Sequence, residues 1–207
     1  MQTLEFQFYP TLLNEFGRYI RNPDETHFRQ LLNRINRVPD FDEETLKRFQ
    51  KGMSFEDAVL KNKPSSYDPV LLEKVRSMLP KRRVTQKLIR FTHENIRFYG
   101  YADVVGERRV IDLKTTSSYQ PNKFAFNFQN LYLYALRNEG CDRMDYIIYD
   151  FREVYVETYY ASEYDFGLML HQMELFAEFL NENRKLIRDK KIFIDKPFGD
   201  GLFEPGF

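Results

Sequence analysis

Two short apolar runs constrain this chain most. They are residues 95–105, "NIRFYGYADVV", and 108–115, "RRVIDLKT", and both carry charge where a half-buried strand wants none. Ile96, Phe98, Ala102 and Val104 alternate with Arg97, Tyr99, Tyr101 and Asp103, the two-residue period of a strand. Gly106 and Glu107 mark the turn. A two-residue loop pairs Asp103 with Val110, and a four-residue loop pairs it with Asp112. Either register puts Asp103, Asp112 and Lys114 on one face, whereas a three-residue loop sends Asp103 to the other. The two carboxylates are then opposite or diagonal, about 5–8 Å apart at the backbone. Desolvating like charges together is costly, and a divalent cation removes the conflict. Such an ion acidifies bound water and stabilises charge on a phosphoryl group, and Lys114 would orient the water or neutralise the phosphate. The plainer alternative is a solvated hairpin face with an Asp–Lys pair. Val110, Ile111 and Leu113 argue instead for a strand entering a core.

Upstream the period is helical. "TLLNEFGRYI" aligns Leu12, Phe16 and Ile20, and "ETHFRQLLNRIN" aligns Phe28, Leu31, Leu32 and Ile35. "DEETLKRFQKG" reads as a short helix stopped near Gly52. "SFEDAVLK" reads as a new helix, with Ser54 and Asp57 in a capping-box-like start. "DPVLLEKVRSML" has Pro69 in its first turn. After the charged hairpin comes a helix over "NKFAFNFQNLYLYALRNEG", with Phe124, Phe128, Leu131, Tyr132, Ala135 and Leu136 on its apolar face and Gly140 as its stop. The strands "MDYIIYDF" and "EVYVETYYA" and an amphipathic helix from Tyr164 to Lys190 follow. This order predicts an α/β or α+β fold, a central mixed sheet flanked by helices. We expect one domain: a mainly helical part over 1–92, a core over 93–192 and an irregular tail over 193–207.

The 207 residues suffice for one sizeable core. The single cysteine, Cys141, forms no internal disulfide and argues against a cysteine-held zinc or iron–sulfur centre. Thirty-one basic residues balance 31 acidic ones, so nucleic-acid binding would rest on a local patch. No secretion signal or bilayer-spanning run is visible, which leads us to expect a soluble cytoplasmic protein with no membrane partner.

"GYADVV" with "RRVIDLKTTSS" resembles the core of the PD-(D/E)XK nucleases, in their RecB-like, Cas4-like and phage-exonuclease branch. Gly100 to Asp103 matches that branch's Gly-x-x-Asp, and Asp112 to Lys114 its acid-x-Lys. Gln129 sits where the family's helix carries Gln. The Tyr expected four residues later is replaced by Leu133, flanked by Tyr132 and Tyr134. Gly52 to Glu56 resembles the family's Gly-x-x-x-His, with Glu in place of the metal-binding His. The resemblance implies a restriction-endonuclease-like core and a Mg²⁺- or Mn²⁺-dependent DNA nuclease. Asp103, Asp112, the Leu113 carbonyl and Glu56 would hold the metal, with Lys114 placing the water. Gln129 would order the site. It further implies an exonuclease in recombination, repair or replication, of bacterial or phage origin, with a protein partner or an oligomer conceivable. The rival is a module of the same fold that binds nucleic acid or a partner without cleaving.

"PKRRVTQKLIR" supplies Lys81, Arg82, Arg83, Lys87 and Arg90 as phosphate contacts, unless it is only a solvated link from helix to strand. Thr115 and Tyr132 are further candidates for nucleic-acid contact. Phe126 is the aromatic free to stack on a base, with Phe124 and Phe128 in the core. His93 and His171 read as isolated.

Overall fold

A computed structural model describes residues 4–194. Most of the expected elements form: α1 (Pro10–Arg21), α2 (Glu25–Ile35), α3 (Glu43–Lys61), α4 (Pro69–Ser77), β3 (Ile96–Gly106), β4 (Arg109–Thr115), β5 (Arg143–Tyr149), β6 (Val154–Tyr160) and α6 (Phe166–Glu182). Two strands were not anticipated, β1 (Phe6–Phe8) and β2 (Val84–His93). β2 replaces the expected helix-to-strand link, so the mainly helical part supplies two strands of the sheet. Thr85, Ile89 and Phe91, in one phase of the two-residue period of "VTQKLIRFTH", were its signal, masked by Lys87 and Arg90.

The sheet has six strands and mixed directions. β2 pairs antiparallel with nearly the whole of β3. The other edge of β3 is shared: β1 runs parallel along Ile96–Phe98, and β4 runs antiparallel along Val104–Gly106. β4 pairs in parallel with β5, and β5 antiparallel with β6. Helices α1 and α6 and the helix α5 (Leu131–Leu136) join the larger core with Val110, Met144, Tyr146 and Ile148. Phe55, Ala58 and Val59 of α3 and Leu72 and Val75 of α4 form a smaller core with Ile111, Leu113 and Ile147. Odd and even residues of β4 and β5 thus serve opposite sheet faces, and helices cover both.

Several local expectations are corrected. The two helices expected around Gly52 are one, α3. Gly52 does not stop it: the helix runs on through this residue, which faces Thr115 of β4. Ser54 is not a cap, and Asp57 instead pairs with Lys61 and Lys63 at 2.8 and 2.7 Å. The helix expected from Asn122 starts with a 3-10 turn at Phe128–Asn130, where the Asn127 side chain accepts from Gln129 N–H. Its stop at Gly140, with φ +94°, is as expected. The last long helix ends at Glu182, and 3-10 turns follow it. His93 and His171 are not isolated, for both imidazoles contact Glu174, at 2.7 and 3.2 Å. Of the expected tail, Phe193 bridges to Phe6, and residues 195–207 lie outside the described ones. Among the described residues no helix is long and apolar enough to cross a membrane.

Candidate metal-dependent active site

The β3–β4 hairpin settles which charges meet. Val104 pairs with Ile111, Val105 with Val110 and Gly106 with Arg109, so one further step puts Asp103 opposite Asp112. The turn is only Glu107 and Arg108, with φ 49° and 67°, the type I′ pattern. Gly106 is therefore the last paired residue rather than part of the loop. It must be glycine because a Cβ there would lie 2.2 Å from the Arg82 carbonyl oxygen.

Beyond Val104 and Ile111 the two strands separate. Asp103 Oδ2 fills the gap, accepting the Leu113 backbone N–H at 2.8 Å. A strand residue's N–H and C=O leave on the same side, so the Leu113 carbonyl is directed into the same opening. β3 also passes from one core to the other here. Ile96, Phe98 and Ala102 belong to the larger core, but Val104 belongs to the smaller one. The alternation expected for these residues holds: Ile96, Phe98, Ala102 and Val104 are buried, and Arg97, Tyr99, Tyr101 and Asp103 are less so.

Asp112 is 3% exposed, and its Oδ2 is ion-paired with Lys114 Nζ at 2.5 Å, which leaves that oxygen a further lone pair. A buried carboxylate oxygen with lone pairs to spare is the feature expected where a hard cation binds. Glu56 enters from α3. Gln86 of β2 ties it in, donating to Glu56 Oε1 at 2.7 Å and to Asp103 Oδ1 at 3.2 Å. Three acids thus face one lysine. Burial, then the neighbouring Asp112 charge, pushes Asp103 up to about 8. Burial and Asp112 likewise raise Glu56. Burial disfavours the Lys114 ammonium, but the Asp112 and Asp103 carboxylates outweigh it and raise its pKa. The cluster is short of positive charge, which the donor set of carboxylates and a carbonyl would take from Mg²⁺ or Mn²⁺. Among the described residues no three acidic, His or Cys side chains stand close enough to cage an ion unaided.

The remaining candidates separate. Tyr132 is buried, not open to nucleic acid. It lies on Gly100, where a Cβ would come 2.4 Å from its phenol oxygen, and the Tyr101 N–H reaches that oxygen. Burial and the Asp112 and Asp103 charges raise its pKa. Gln129 is buried and bonds Asn14 of α1, from Nδ2 to Oε1 at 3.1 Å, rather than any of the charged residues. Thr115 is half-buried under Gly52. Lys81, Arg82 and Arg83 are exposed at the turn end of the hairpin, where Lys81 N–H donates to Glu107. Lys87 pairs with Glu139 at 2.8 Å, and Arg90 lies further along β2 opposite Tyr99. The basic stretch is strung along an edge strand rather than gathered into one patch. Phe126 is 69% exposed, while Phe124 and Phe128 are in the core. Sequence reasoning missed Gln86 and Asn14, because neither belongs to a motif and both act through contacts distant in the chain.

No protein-family description and no curated protein matches this chain. Among solved structures, SSO0001 aligns with TM-score 0.46 and 14% identity over 89% of this chain and 81% of that one. An exonuclease candidate from Eubacterium rectale gives TM-score 0.37 and 10% identity over 84% and 68%. Rai1 of Scheffersomyces stipitis gives 0.35 and 12% over 86% and 61%. At this distance no functional argument rests on them. What the chain itself displays is a mixed α/β layout, a central sheet flanked by helices, with an acid–lysine cluster where two of its strands part.

Proposed function

We propose that this protein is a metal-dependent deoxyribonuclease, acting as an exonuclease in DNA recombination, repair or replication. One observation carries the reading: the buried Asp112, ion-paired with Lys114, and Asp103 meet where β3 and β4 part. Asp103, Asp112 and the Leu113 carbonyl would hold Mg²⁺ or Mn²⁺, with Glu56 beside them. Bound there, the ion would supply charge stabilisation and a more acidic water. Lys114, with its ammonium against Asp112, would hydrogen-bond the attacking water or a phosphate oxygen. Attack forms one P–O bond as the bond to the leaving sugar oxygen breaks, and that oxygen takes up a proton. Lys81, Arg82 and Arg83 offer exposed cations to the DNA backbone.

A second reading, a nucleic-acid-binding module that does not cleave, is favoured by the lack of a ready-made ion cage among the described residues. End-labelled linear DNA and closed circular DNA, incubated with Mg²⁺, Mn²⁺ or EDTA, separate the two. We expect the linear form alone to be degraded, EDTA to stop degradation, and Lys114→Ala to slow it about 10²–10³-fold. Cutting of the circle would make the enzyme an endonuclease. DNA binding without cleavage in any metal would establish the second reading, and full activity of Lys114→Ala would move the chemistry elsewhere.

A further inference from the structure

β2 contains a residue whose backbone works against its type. Gln86 has φ +51°, the left-handed region, between Thr85 and Lys87, which are both paired in register with β3. Glycine and asparagine visit that region readily, but glutamine has no such preference. A non-glycine residue held there is retained by its surroundings, and such positions gather at functional sites. Thr85 pairs with Val104 and Lys87 with Ala102, so Gln86 falls opposite Asp103. From there its amide nitrogen donates both N–H groups to carboxylates of different elements: Glu56 of α3 at 2.7 Å and Asp103 of β3 at 3.2 Å.

This arrangement fixes Asp103 from both sides. The β4 backbone holds Oδ2 through Leu113 N–H at 2.8 Å, and Gln86 holds Oδ1. Each carboxylate oxygen has two lone pairs, so an oxygen that accepts from Gln86 can still ligate a cation. The amide is neutral and adds no charge of its own. Glu56 would otherwise be an acidic side chain on a helix of the smaller core, without a hydrogen bond to bring it to the sheet.

We infer that Gln86 is a positioning residue: its side-chain amide yokes Glu56 to Asp103 and so holds Glu56 beside the two acids that would bind the cation the proposed nuclease reading requires. The inference rests on that reading, and a binding measurement separates the two. Mn²⁺ affinity is measured by calorimetry for the wild type, Gln86→Gly, Gln86→Asn, Glu56→Gln and the Gln86→Gly/Glu56→Gln double variant. Urea denaturation of the metal-free proteins runs alongside. Glycine relieves the backbone and asparagine tolerates it, so both variants should fold at least as stably as the wild type. Both should bind Mn²⁺ about 10–100-fold more weakly, as is usual when a group that orients a metal ligand is removed. In the Glu56→Gln background, Gln86→Gly should change the affinity little further, because the yoke then has nothing to position. Unchanged Mn²⁺ affinity in Gln86→Gly, or an undiminished loss in the double variant, overturns the inference and leaves the nuclease reading standing. A wild type that binds no Mn²⁺ overturns both.

Discussion

A carboxylic acid buried beside another resists ionising, and Asp103 is in that position. In the unfolded chain it titrates near 3.8, but burial and Asp112 hold it up to about 8 in the fold. Between these values the folded protein keeps a proton that the unfolded chain has released. The group's contribution to stability is therefore fully present below about pH 4 and is lost as pH rises through about 8. For the metal-free protein, the urea midpoint should fall between pH 5 and pH 8. Asp103→Asn should flatten that fall and be more stable than the wild type at pH 8, by roughly 1–3 kcal/mol. The same substitution should abolish metal-dependent cleavage. A slope unchanged by Asp103→Asn would assign the pH dependence to other groups. Asp103, Asp112 and Lys114 were legible in the sequence because apolar strand neighbours made their charge conspicuous. Gln86 was not, since a polar residue in a basic stretch draws no notice until its partner across the sheet is known.

At the scale of elements, the segment between β4 and α5 depends on one buried acid. Glu157 of β6 accepts the backbone N–H groups of Lys123 and Phe124 at 3.0 and 3.1 Å and the Tyr159 hydroxyl at 2.7 Å. Asn130 adds bonds to the Phe124 and Ala125 carbonyls, both at 3.1 Å, and accepts the Tyr146 hydroxyl at 2.7 Å. These contacts explain why a helix drawn from apolar spacing alone began too early. Side chains here satisfy backbone groups that a helix would have paired with each other. Glu157→Ala would leave the buried Phe124 N–H and the part-buried Lys123 N–H and Tyr159 hydroxyl without this acceptor. We expect thermal or urea denaturation to show a loss of roughly 2–4 kcal/mol. We also expect nuclease activity to fall in the variant that remains folded, because this segment leads into Gln129 and Tyr132. Wild-type stability in Glu157→Ala would show that the segment is held by its aromatic packing alone.

Across the whole molecule, the two helical layers are unequal. Phe8, Phe16, Phe176 and Tyr146 belong to a large aromatic core on one side. On the other, α3 and α4 share a smaller one. The first half of α3 is held least, with Leu46, Phe49 and Met53 each at least 45% exposed. Hydrogen exchange should show this as a gradient. Amides in the first half of α3 should exchange about 10²-fold faster than those of β4 and β5, whose residues are covered on both faces. Uniform protection along α3 would mean that its exposed half is buried in solution against something else.

The sequence by itself determined what depends on near neighbours. Strand and helix periods, the Gly140 stop, the proline-led start of α4 and the alternation that brings Asp112 and Lys114 to one side all follow from contacts within a few residues. Tertiary structure decided the rest. It merged two helices across Gly52, because packing of Phe55, Ala58 and Val59 into the smaller core outweighs the weak helix preference of one glycine. It set the hairpin register by laying Arg82 over Gly106, which forced the turn one residue onward. It set the inward-facing Tyr132 against Gly100, and it brought Glu56, Gln86 and Asp103 together from three separate elements. Each outcome is a close approach between residues far apart in the chain, and local propensity carries no information about such encounters.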